Sequence, residues 1–138
     1  MKKRLITILM STVFAVALTS NANAGQPSVY IISPAQGQVV SSPVQVRFGL
    51  RGMGVAPAGV DKDKTGHHHL LIDVDVLPNL TVPVPADKNH RHFGAGQTEV
   101  ELILEPGEHS LQLLLGDKFH IPHAPALVSE KITITVEQ

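Results

Sequence analysis

The histidines are where this sequence can do chemistry. Eight of them occur in 138 residues that contain no cysteine. They fall in short groups: His67, His68 and His69 in a row, His90 and His92 two apart, His120 and His123 three apart, and His109 alone. Neutral imidazole is a common transition-metal ligand, whereas protonated rings brought together repel one another. A cluster of them therefore implies neutral rings holding something between them. His67 and His69 share a face of an extended strand, as His90 and His92 do if their segment is extended. Pairs on neighbouring elements then complete a site of three or four nitrogens. The candidate ligands are His67, His69, His90, His92, His120 and His123. An all-imidazole set suits copper(II), zinc or nickel; the intrinsic affinity order puts a copper ion first and zinc as the alternative.

Other residues near these groups carry weaker signals. His68 points to the apolar side of its strand, where structural burial competes with ligation. His109 runs in phase with Leu111, Leu113 and Leu115, at a corner where sandwiches place a side chain that bonds upstream backbone, and is read as structural. Asp73 lies deeper on the face of His67 and His69, within reach to orient a ligand ring. Met53 offers a lone soft sulfur for Cu(I). Asp61-Lys62-Asp63 looks like a fragment of a calcium loop, but Lys62 and Lys64 make it a solvated charge run. No Ser–His–Asp order is present; Glu99 and Asp87 are near enough in sequence to be candidate acids, and nothing selects either as catalytic. The lack of cysteine excludes disulfides, zinc fingers, iron–sulfur clusters and thiolate catalysis.

Strands must position these rings. Ten prolines and eleven glycines punctuate the chain, and no segment keeps a 3.6-residue apolar period. Short β-rich runs between turn signals predict an all-β fold, an immunoglobulin-like antiparallel β-sandwich of about seven strands. Val29–Ile32 is the first run. Val44–Leu50 alternates Val44, Val46, Phe48 and Leu50 against Gln45, Arg47 and Gly49. A third strand from His67 to Leu77 places His68, Leu70, Ile72, Val74 and Val76 on the core face and His67, His69, Leu71, Asp73 and Asp75 on a mostly polar one. Thr81–Val84 could form a short edge strand; Thr98–Leu104, Ser110–Leu115 and Val128–Val136 supply the rest. In that topology the start of the third strand, the segment before Thr98 and the loop between the last two strands share one end. Seven of the eight histidines map there, and His109 maps to the other.

The amino terminus sets where this chemistry takes place. Lys2, Lys3 and Arg4 precede an apolar run from Leu5 to Leu18 and then Ala22-Asn23-Ala24, the three parts of a cleavable signal peptide over residues 1–24. The apolar run is shorter than the ~20 residues that span a bilayer, so no membrane insertion is expected after cleavage. Residues 25–138 then form a single periplasmic or secreted domain. Its formal charge falls from −1 for the full chain to −4 once Lys2, Lys3 and Arg4 are removed. That leaves no basic stripe for nucleic acid or anionic lipid.

Longer motifs carry a resemblance. Gly66-His67-His68-His69-Leu70-Leu71-Ile72-Asp73, then His92-Phe93-Gly94-Ala95-Gly96-Gln97-Thr98-Glu99, then Pro106-Gly107-Glu108-His109 running on through Leu115-Gly116-Asp117, together resemble an uncharacterised bacterial family of small secreted domains of unknown function. The resemblance covers nearly the whole chain after residue 24. It implies export and a β-sandwich, and it carries no catalytic role. The reading is an exported metal-binding protein handling copper as a buffer, carrier or resistance factor. The alternatives are a metal-dependent enzyme, either a hydrolase or a superoxide dismutase-like site, and a non-catalytic envelope-binding module whose histidines are a structural rim.

Overall fold

The computed structural model describes residues 25–137; the expected signal segment, residues 1–24, lies outside them. Among the described residues the strands are β1 (Ser28–Ser33), β2 (Val39–Ser41), β3 (Val44–Arg51), β4 (Gly54–Val55), β5 (Thr65–Ile72), β6 (His90–His92), β7 (Glu99–Leu102), β8 (Gly107–Gly116) and β9 (Ile132–Glu137). No helix forms among the described residues.

Alternation in β3 buries Val44, Val46 and Phe48 and leaves Gln45 and Arg47 in water. β3 is the middle strand of a three-stranded sheet, β1-β3-β7, antiparallel throughout. The larger sheet runs β2-β9-β8-β5-β4, with β6 also on β5. Its central pairs are antiparallel, while the short edge pairs β2–β9 and β4–β5 are parallel. The facing sides of the two sheets enclose one core, in which Val46 and Phe48 meet Leu70, Leu111, Leu113 and Ile134. Phe93 closes it against Phe48, ring centroids 4.8 Å apart. The fold is the expected all-β sandwich.

β5 departs from expectation in two ways, and both matter for the site. It ends at Ile72 rather than Leu77, because Asp73 takes a left-handed turn (φ 55°). Beyond the turn Val76 is 81 % exposed instead of core. The face expected to be polar is also buried: every residue from Gly66 to Ile72 is shielded from water, including His67, His69 and Leu71. The cover is the irregular segment around Pro83 and Val84, in which Val84 is buried, Thr81 to Pro83 are exposed and Thr81–Val84 forms no strand. Its Val84 amide donates to the His120 carbonyl at 2.9 Å.

The Asp73 turn also fixes what that side chain does. Its carboxylate accepts from the His109 Nδ1 at 2.8 Å and from the Ser110 amide at 2.8 Å, while the His109 Nε2 donates to the Glu105 carbonyl at 2.9 Å. Asp73 therefore serves His109 at the far end of the sheet and not a ring of the histidine cluster. Burial pulls the His109 pKa down, but Asp73 and the Glu105 carbonyl outweigh it, and the net shift is upward. A raised folded value means that this contribution is full below pH 6.5 and is lost as pH rises from there through the higher folded value. His109→Ala is expected to cost about 1–2 kcal/mol near pH 6, less in alkali, with metal affinity unchanged. Denaturant titrations across pH would check this.

Candidate metal centre

His67 and His69 leave the same face of β5 because strand side chains alternate. Register then brings the partners. β6 pairs antiparallel with β5 so that His92 lies directly opposite His69, and directly opposed residues project from the same face. On the other side His67 faces Gly116, the last residue of β8. The chain turns immediately after it and returns His120 over the same face.

Asp117 shapes that turn. Its Oδ1 accepts from the amides of Phe119 at 2.8 Å and Ile121 at 3.0 Å, and its carbonyl accepts from the His120 amide at 2.9 Å. His120 is thereby held in a left-handed conformation, φ 67°. A non-glycine residue stays there only when its surroundings impose it. The conformation brings His120 Nδ1 to 3.1 Å from His67 Nε2.

His67, His69, His92 and His120 converge. One nitrogen from each lies within 4.8 Å of the others, and His69 Nε2 sits 3.2 Å from His67 Nε2. Ring centroids are 4.6 to 6.1 Å apart across all six pairs. A tetrahedral ion with metal–nitrogen bonds of about 2.0–2.1 Å spaces its ligand nitrogens about 3.3–3.4 Å apart. The two close contacts fall just inside that spacing.

Hydrogen bonding alone does not account for the convergence. A neutral ring has one N–H and one lone pair. If His67 and His69 both carry the proton on Nε2, two N–H groups face each other at 3.2 Å. If either carries it on Nδ1, that N–H is buried without a partner among the described residues. A cation accepting both Nε2 lone pairs removes the conflict between the rings, and binding free energies of about 10–16 kcal/mol for structural zinc exceed the ~1–3 kcal/mol of each unpaired N–H.

His67, His69 and His92 are also kept neutral. Burial, then the His92 and His120 rings, lower the His67 pKa from 6.5 to about 4, against the opposing charge of Asp117. Burial and then the other cluster rings lower that of His69 to about 3. His92, the exposed member, is lowered by burial and by His120. At neutral pH these lone pairs are available to a metal.

Two further candidates lie elsewhere. His90 shares the face of His92 but sits opposite Leu71, and its Nδ1 turns to the Asp87 carboxylate at 2.9 Å. His123 follows Pro122, which bridges to Gly116. Its Nε2 lies 2.8 Å from where a Cβ on Gly66 would stand, and Gly66 faces away from His67. His68 points into the sandwich, its ring 5.2 Å from that of Phe48, and burial lowers its pKa.

Glycines at the ligands, with Asp117, are what the sequence reading missed. A Cβ on Gly116 would meet His69 Nε2 at 2.8 Å, and one on Gly94 would meet His92 Cε1 at 2.2 Å and Nε2 at 2.5 Å. The signal was the placing of Gly94 and Gly116 two and four residues from histidines of different groups. Gly116→Ala and Gly94→Ala are each expected to displace one ring and weaken metal binding about tenfold or more. Circular dichroism should show the fold retained, and calorimetric titration would read the affinity.

A family model described as Domain of unknown function (DUF4399) matches residues 46–137, which include all four converging histidines. No curated protein and no solved structure matches the chain.

Proposed function

Since the chain belongs to the DUF4399 family, whose description carries no activity to transfer, we propose from its own residues that it is an exported protein that binds one transition-metal ion, copper first. The ligands are His67, His69, His92 and His120. The observation that carries this reading is the approach of His67 Nε2 to both His120 Nδ1 and His69 Nε2, at 3.1 and 3.2 Å, with the His67 and His69 rings kept neutral by burial. Copper leads because a set of nitrogen ligands without thiolate follows the intrinsic affinity order, which peaks at Cu(II). Export follows from the signal-like residues 1–24, outside the described residues. The exposed His92 and the loop-borne His120 give the ion a way in and out, which fits buffering or carriage.

Zinc is the second reading, and the ring arrangement favours it. Five of the six centroid separations lie between 4.6 and 5.1 Å and one is 6.1 Å, closer to a tetrahedron, with six equal edges, than to a square with two long diagonals. Titration of the untagged protein with Cu(II), Cu(I) and Zn(II) at about pH 7.5 would decide. One ion per chain at micromolar affinity or tighter, with Cu(II) displacing Zn(II), is the expected result. Zn(II) displacing Cu(II) would reassign the cargo, and binding no stronger than millimolar for all three would overturn the metal reading.

A further inference from the structure

We infer that an ion held by these four histidines keeps one coordination face open to a small anionic ligand, admitted through the cavity bounded by Pro83, Val84 and Ala86. This rests on the metal reading above and extends it from holding an ion to presenting it. The cavity measures about 190 Å³ and is lined by those three residues together with His69, His92 and His120. His67 does not line it and is fully buried. The three lining rings make one triangular face of the ligand set, so a molecule in the cavity approaches the ion opposite His67.

The chemistry of the cavity selects its occupant. A water molecule's share of liquid volume is about 30 Å³, so the space holds a handful of small atoms and no large substrate. Pro83, Val84 and Ala86 offer no charged or polar side chain, which leaves the ion as the ligand's polar partner. Four neutral imidazoles do not offset the charge of a divalent ion, and in a partly buried site that charge favours an anion. Hydroxide or a linear triatomic anion bound through one end fits these constraints. Metal sites that act on small molecules keep a position open beside their protein ligands and can expand to five ligands, whereas sites that only stabilise a fold are closed; on four imidazoles the anion is the fifth ligand.

Sodium azide is the probe. Copper stoichiometry of the untagged protein is measured first, so that failure to take up copper is scored against the metal reading. Copper-loaded protein is then titrated with azide, following azide-to-copper charge-transfer absorption. One azide per copper is expected. Ala86→Leu and Ala86→Phe, at an exposed position, should fill the cavity and weaken azide binding about tenfold or more while copper affinity stays within about twofold. A copper-loaded protein with no azide band, or azide affinity unchanged in both variants, would overturn the inference while leaving the metal site standing.

Discussion

Replacing His67 and His69 together with leucine is expected to abolish tight metal binding and, in the same protein, to raise the stability of the metal-free fold. Both rings are essentially inaccessible to water, and the Nδ1 of each is buried without a partner among the described residues. An unpaired buried polar group costs about 1–3 kcal/mol. Leucine is close to histidine in volume and removes that cost, as well as the facing of the two Nε2 atoms at 3.2 Å. Thermal unfolding of the chelated variant should therefore shift upward while its copper and zinc titrations become flat. The rival account, a structural rim of histidines, makes the opposite forecast. Rings that hold the fold together would lower the melting temperature when removed, and that result would count against the metal centre.

The second large effect is in acid. In the unfolded chain these imidazoles titrate near 6.5, whereas in the fold His67 does so at about 4 and His69 at about 3. Between those limits the unfolded state binds more protons, so metal-free stability is full above pH 6.5 and falls as pH drops toward 4 and then 3. A tenfold difference in proton affinity is about 1.4 kcal/mol. The two rings together thus remove several kcal/mol from a margin that is typically about 5–15 kcal/mol. The metal-free protein is expected to unfold between about pH 6 and 4, taking up protons as it does so. The metal-loaded protein should persist to lower pH, since the ion must first be displaced. Fluorescence is ill suited to a chain without tryptophan, so circular dichroism against pH with and without ion is the measurement. A metal-free transition that stays flat to pH 4 would contradict the burial of these rings.

Much of this was legible from the residues. Val44 to Phe48 declares its two faces by strict alternation, and the spacing of His67 and His69 puts them on one side of any strand. The gathering of histidines at one end follows from the chain reversing between runs, which brings Gly116 back opposite His67. What stayed hidden depends on contacts distant in sequence. Val74 and Val76 continue the apolar rhythm of β5, so nothing local announces that Asp73 will turn away toward His109 and Ser110. His90 and His92 look equivalent two residues apart. Only the pairing with β5 sets His92 beside His69, and only Asp87 draws the other ring aside. His123 lies on the wrong side of β5 because Pro122 bridges to Gly116, a contact that no spacing rule encodes.

The four converging rings come from three separate stretches of chain, and the outermost two, His67 and His120, lie 53 residues apart. An ion drawn into their midst is thus a reversible cross-link across the middle of a protein that has no cysteine with which to make a permanent one. It fastens the loop after β8 and the short strand β6 to β5 of the larger sheet. A ligand present at a thousand times its dissociation constant adds about 4 kcal/mol to a fold, comparable to a disulfide closing a loop of that length. Resistance to proteases would then track the supply of metal, and a molecule starved of its ion would be the first to be degraded.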